Sequence, residues 1–223
     1  PSRASLMSGM RPSTTGVYGN RQPLRFSEAG QSCVTLPQHF RENGYYATGS
    51  GKVYHSKFPD PMSWDTYSPS PFRQTPSAPS YAHPLNGMAD MGNVDWGALD
   101  IRDEEMTDHQ AVDYCLQQLG KDHDRPFFLT CGQTVTHLTW ATPRSTNERF
   151  DPSTIRLPEV REDDLEDVSS VGRRWANTEV HARLRDEGKW SEAVAAYLAC
   201  IHFADAQMGR LLDGLEASPH ADN

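Results

Sequence analysis

Apolar residues recur at helical spacing in four stretches of the chain and gather into strand-like runs in two more. PSRASLMSGM (1–10) sets Leu6, Met7 and Met10 on one face behind a proline suited to the first helical position. CVTLPQHFREN (33–43) places Leu36 and Phe40 on one face and stops at Gly44. From Met106 to Leu119, Val112, Cys115, Leu116 and Leu119 point inward, after an acidic turn of Asp103, Glu104 and Glu105 that suits the helix dipole. Ser191 is placed to cap a long helix to about Glu216, with Val194, Leu198, Ile201, Met208, Leu212 and Leu215 as its apolar stripe. Asp205 falls on that stripe and reads as a buried, paired structural aspartate. Tyr45 to Gly51 reads as a short strand, and Phe127 to Cys131 as a strand buried on both faces. Helices alternating with buried strands predict an α/β domain.

Between these elements, residues 11–32 are turn-rich. Residues 56–98 hold most of the prolines and form a long surface excursion, of a length that is usually functional in a compact domain. Residues 141–189 read as a polar, acidic loop with helical stretches. Both segments are placed to shape specificity. The carboxylates Asp163, Asp164, Glu166 and Asp167 read as a solvated acidic loop, since no glycine-containing ligand loop surrounds them. His109, His123, His181 and His220 lie in polar stretches and read as surface residues.

Composition narrows the function. The 223 residues are 36% hydrophobic with a formal net charge of -9, and the mean hydropathy is -0.69. No apolar run is long enough for a transmembrane helix. The acidic balance argues against nucleic acid as a partner, which needs a basic stripe, but not against a small anion held by a few local cations. Cys33, Cys115, Cys131 and Cys200 form no C-x-x-C pair and no zinc-like spacing, and Cys131 and Cys200 read as buried thiols. The start at Pro1 and the stop at Asn223 read as an internal segment of a longer chain.

Three clusters carry candidate chemistry: Pro1-Ser2-Arg3-Ala4-Ser5-Leu6-Met7-Ser8-Gly9, then Gly51-Lys52-Val53-Tyr54-His55, then Gly132 followed by His137 after the second strand. Arg3, Lys52, His55 and His137 are hydrogen-bond donors at the ends of regular elements, where an α/β fold gathers its site. Such donors suit a tetrahedral oxyanion.

The first cluster resembles the type I sulfatase signature C-x-P-S-R-x-x-x-[L/M]-T-G from its proline onward, with Ser8 in place of threonine. The second resembles the family's other signature, ending G-K-x-[aromatic]-H, with Ala47 where Ser or Thr is usual. Arg11-Pro12, Pro61-Met62-Ser63-Trp64-Asp65, Arg125-Pro126-Phe127-Phe128-Leu129 and Gly209-Arg210-Leu211-Leu212 look like the iduronate-2-sulfatase-like branch.

The resemblance implies an alkaline-phosphatase-like α/β sandwich, with a central mixed, mostly parallel sheet flanked by helices and incomplete in this segment. Residues 1–223 would be part of the catalytic domain. It implies Ca²⁺ and a formylglycine nucleophile made, by a formylglycine-generating or equivalent maturation enzyme, from a cysteine two positions before Pro1. It implies that Arg3 stabilises the formylglycine alkoxide, that Lys52 binds sulfate, that His55 hydrogen-bonds the formylglycine hydroxyl, and that His137 contacts the substrate as general acid. No metal ligand is expected in the chain, because the family's paired aspartates lie before Pro1 and its later acidic motif beyond Asn223. The implied substrate is a sulfate ester on a sulfated sugar or glycosaminoglycan-like polysaccharide. The implied location is a periplasmic, secreted or lysosome-like compartment.

One departure bears on activity. The branch usually carries Lys or Arg and then Pro before the third-cluster histidine, and here Val135 and Thr136 stand there. Two other readings follow: a phosphate or phosphonate monoester hydrolase of the same fold, or a homologue that binds sulfated glycans without cleaving them.

Overall fold

The computed structural model describes residues 1–55, 57–176 and 179–222. Ser56, at the start of the predicted excursion, Asn177 and Thr178 in the acidic loop, and Asn223 lie outside the described residues. The strands are Tyr46–Gly51 (β1), Trp96–Leu99 (β2), Phe127–Gly132 (β3) and Trp140–Pro143 (β4). The helices are Ser2–Ser8 (α1), Pro12–Thr15 (α2), Glu28–Ser32 (α3), Leu36–Glu42 (α4), Thr107–Leu119 (α5), Arg144–Asn147 (α6), Ser170–Trp175 (α7), Glu179–Asp186 (α8) and Trp190–Glu216 (α9). The chain divides into two compact units, and α9 contributes to both.

The first unit comprises 1–79, 103–134 and 204–223. β1 and β3 pair in parallel, in register from Tyr46 with Phe127 to Gly51 with Gly132, and α4 and α5 pack on them. α4 starts where the sequence dictates. The Thr35 side chain caps the helix, Gln38 returns a bond to the Thr35 backbone, and a proline sits in the first turn. Phe40 on α4 stacks on Phe128 of β3 at 4.5 Å between ring centres. The core gathers Met7, Leu24, Ala47, Val53, Tyr54, Trp64 and Tyr67. Each large apolar side chain buried this way contributes about 1.5–3 kcal/mol.

A polar chain runs through the same core. Arg25 makes a two-pronged bond to Asp60 at 3.1 and 2.7 Å. Ser63 Oγ donates to Asp60 at 2.7 Å and lies 2.7 Å from both Tyr54 Oη and Thr35 Oγ1. Every member has a partner, as burial requires.

The second unit comprises 80–102 and 135–203. β2 and β4 pair in parallel from Trp96 with Trp140 to Leu99 with Pro143. Met88, Met91, Trp96, Leu184, Ala193 and Ala196 form its core. Asp95 organises the approach to β2, accepting backbone N–H bonds from Leu85, Asn86 and Trp96.

The structure corrects several expectations. The 56–98 stretch is not a wholly surface excursion: Trp64 and Tyr67 enter the first core, Met88, Met91 and Trp96 the second, and the stretch runs into β2. Its prolines break regular structure while its aromatic and methionine side chains still find apolar partners. The predicted loop at 141–189 contains most of β4, whose four residues are too few to show a period. β3 is half-buried rather than covered on both faces, and Cys131 on it is half-buried too.

The buried residues of α9 are mostly small ones. Ala193, Ala195, Ala196, Ala199, Cys200 and Phe203 are inside, while Ile201, Met208 and Leu212 are 42%, 43% and 53% exposed. An alanine face allows a closer helix approach than a face of larger side chains, and it decides which side turns in. Asp205 is exposed, contrary to the buried reading. Leu6 is also exposed, whereas His109 is buried and lies 3.5 Å from Asp113.

Candidate active site

The first unit brings two of the three clusters together at the carboxyl ends of β1 and β3. Gly51 ends β1 with φ +82°, and a Cβ there would lie 1.8 Å from the Gly132 carbonyl oxygen. A Cβ on Gly132 would lie 2.5 Å from the Lys52 backbone. Only a glycine at each position lets the two chains approach this closely.

Lys52 follows, and its main chain is fixed at both polar groups. Its N–H donates to Gly132 O at 2.9 Å, and its carbonyl accepts from the Arg3 guanidinium of α1. The neighbouring groups are satisfied as well. Gly51 N–H donates to Gln74 O at 2.9 Å, Gly51 O accepts from the Tyr67 hydroxyl at 2.9 Å, and Tyr54 N–H donates to Gln74 Oε1 at 2.7 Å. Backbone polar groups this deep need such partners.

The Lys52 side chain is buried. Burial first, then the Arg3 charge, push its ammonium below the ordinary lysine value, and the Asp108 carboxylate opposes both. Asp108, at the start of α5, is 1% exposed and accepts the Thr134 N–H on both oxygens, at 2.9 and 2.8 Å. The same carboxylate therefore shapes the turn after β3 and supplies negative charge to Lys52. Tyr54 lies in the core with its hydroxyl pKa pushed up to about 12 by burial. His55, half-buried, comes next, and its carbonyl accepts from Phe58 N–H at 2.8 Å.

His137 belongs to the second unit and is exposed. Its Nδ1 lies 2.7 Å from the Leu138 carbonyl, which can only accept, so Nδ1 carries the proton. Nε2 is then the ring nitrogen not engaged by that contact. Val135, two residues earlier, is 8% exposed and adds no charge.

The arrangement suits an oxyanion. An arginine has five N–H donors, so its bond to the Lys52 carbonyl leaves a fork beside a second cation. Among the described residues no three His, Cys, Asp or Glu side chains gather as a metal-ligand set. The Ca²⁺ implied by the resemblance thus has no ligand set among the described residues. Gln74 and Asp108 carried no motif in the sequence. Their contacts join positions far apart along the chain, although an aspartate in the first turn of a predicted helix was a visible cue for Asp108.

Comparison with known proteins covers the whole chain. A sulfatase of Formosa agariphila is 32% identical over 249 residues, covering 100% of this chain and 47% of that protein. Human iduronate 2-sulfatase is 27% identical, covering 97% of this chain and 42% of its own length. A choline-sulfatase of Rhizobium meliloti is 26% identical, with 100% and 46% covered. The chain thus spans somewhat less than half the length of these relatives. The solved structure of a 2-O GAG sulfatase shares the fold, with a TM-score of 0.55 at 18% identity over 99% of this chain and 44% of that one. The family model for sulfatases matches residues 1–223. With that match end to end, and with both signature segments meeting where Arg3 donates to Lys52, this chain belongs to the sulfatase family.

Proposed function

We propose that this chain supplies the anion-binding part of an active site that hydrolyses sulfate esters, on a sulfated sugar or glycosaminoglycan-like polysaccharide. The observation that carries the reading is the bond from Arg3 to the Lys52 carbonyl, which joins two signature segments 49 residues apart around a pair of cations. Charge builds on the sulfuryl oxygens as the ester bond breaks, and fixed cations stabilise it there. Arg3 offers a planar fork and Lys52 a point charge. His55 lies on the same segment as Lys52 and can hydrogen-bond the attacking group. His137, with Nδ1 committed, can protonate the departing alkoxide from Nε2 in its imidazolium form.

The nucleophile of this reading is a formylglycine two positions before Pro1, formed by a maturation enzyme, and the Ca²⁺ is held by residues other than those described. The homology to sulfatases that include iduronate 2-sulfatase supports the reading, as does the fold shared with a 2-O GAG sulfatase. One observation favours a second reading. Val135 is buried and uncharged where the branch carries a cation, which suits a homologue that binds sulfated glycans without turnover.

The test is to read the coding frame upstream of Pro1 and to weigh the tryptic peptide that ends at Arg3. A cysteine two positions before Pro1, converted to formylglycine, is the expected result and makes a substrate screen worthwhile. Any residue there but Cys or Ser, or an unmodified cysteine from a host able to convert it, overturns hydrolysis and leaves binding.

A further inference from the structure

Resting on the anion-site reading above, we infer that Gln74 is a positioning residue for Lys52, bracing the Gly51–Tyr54 segment at both ends. Its own carbonyl holds Gly51 N–H at 2.9 Å and its side-chain oxygen holds Tyr54 N–H at 2.7 Å. Lys52 lies between those two points. The residue is 1% exposed, in a proline- and serine-rich stretch with no motif around it.

The orientation of the amide is fixed, because Tyr54 N–H can only donate and must meet the oxygen. That leaves Nε2 buried without a hydrogen-bond partner among the described residues. An unmatched buried donor destabilises a fold, and a methionine of similar size would avoid it. The glutamine side chain carries that penalty and in return satisfies Tyr54 N–H with its oxygen. Tyr54 is anchored at its other end as well, by the 2.7 Å contact of its hydroxyl with Ser63. With Gly132 and Arg3 holding the Lys52 main chain, the Gln74 brace completes the frame that presents a buried ammonium at one place. A charge displaced by even an ångström binds its anion poorly.

The test titrates inorganic sulfate into the full chain by calorimetry, for the wild type, Lys52→Ala, Gln74→Met and Gln74→Glu. Amide hydrogen exchange is read in parallel for Gly51–Tyr54 and for the rest of β1 and β3. Lys52→Ala should lose affinity by about 10-fold or more. Gln74→Met removes the acceptor and the unmatched donor together, so its effects on stability oppose each other. It should keep a melting temperature close to the wild type, weaken sulfate about 5- to 10-fold, and lose protection at Tyr54 alone, since the main-chain carbonyl that holds Gly51 N–H is unchanged. Gln74→Glu keeps an acceptor oxygen and, read at a pH low enough to leave the buried carboxyl neutral, should recover most of both.

Wild-type affinity in Gln74→Met, with Lys52→Ala weakened, overturns the role of Gln74 and leaves the site standing. Protection lost throughout β1 and β3, or no recovery in Gln74→Glu, makes Gln74 an ordinary packing residue and also overturns it. Equal affinity in the wild type and Lys52→Ala, or no sulfate binding at all, overturns the anion site itself and the inference with it.

Discussion

At the scale of single residues, the proposed chemistry turns on a lysine that is both buried and cationic. The Lys52 ammonium is pushed below the ordinary lysine value by burial and by Arg3. The proposed sulfate binding needs that proton. Affinity is therefore full below the depressed pKa and is lost as pH rises through it, sooner than for an exposed lysine. Asp108→Asn removes the opposing carboxylate charge and should move the loss to still lower pH, read by repeating the sulfate titration across an alkaline pH series. A second buried charge gives a stability prediction. Asp60 is 4% exposed at its side chain and is held by Arg25, so Arg25→Ala leaves a stranded carboxylate and should cost about 3–5 kcal/mol in urea unfolding. Arg3, Lys52, His55 and His137 were visible in the sequence as candidates, because local spacing carries their motifs. Gln74 was not, and Asp108 offered only its place in the first turn of a predicted helix, since what defines both is a backbone group reached only after the chain has folded.

Among elements, what the sequence revealed depended on length. α5 and α9 run for several turns, and their periodicity located them to within a residue or two. β4, four residues long, fell inside a predicted loop. Burial was harder to read than existence. On α9 the larger side chains stand out by hydropathy, yet the alanines face the core. Packing distance decides that choice, and it has no signature along the chain. The β1–β3 pair offers a direct test. Gly49 lies where a Cβ would come within 2.1 Å of Thr130 Oγ1 and 2.6 Å of the Thr130 carbonyl oxygen. At Gly51 the backbone obstacle is nearer still, 1.8 Å to the Gly132 carbonyl oxygen, and φ is +82°. Gly51→Ala should destabilise the protein by about 3 kcal/mol or more, and Gly49→Ala by less. Chemical denaturation of both variants measures the difference.

Over the whole molecule, two small parallel pairs and two cores, counted among the described residues, share a chain of net charge -9. Against that background, the proposed anion binding depends on the local field of Arg3 and Lys52. None of the four cysteines is in a disulfide. Cys115 and Cys200 are buried, while Cys33 and Cys131 are half-buried. Thiol titration without reductant should find four groups after unfolding, and the native protein should release Cys115 and Cys200 slowest. The crossing of Gly51 and Gly132 has a consequence for heredity. Every missense change that one base can make in a glycine codon adds a Cβ, and at either position that atom meets main chain of the neighbouring segment. No side chain can rotate to make room, so every missense allele at these two codons should be a destabilising one. Among carriers of a gene for this protein, a variant at either site should behave like a loss of the gene.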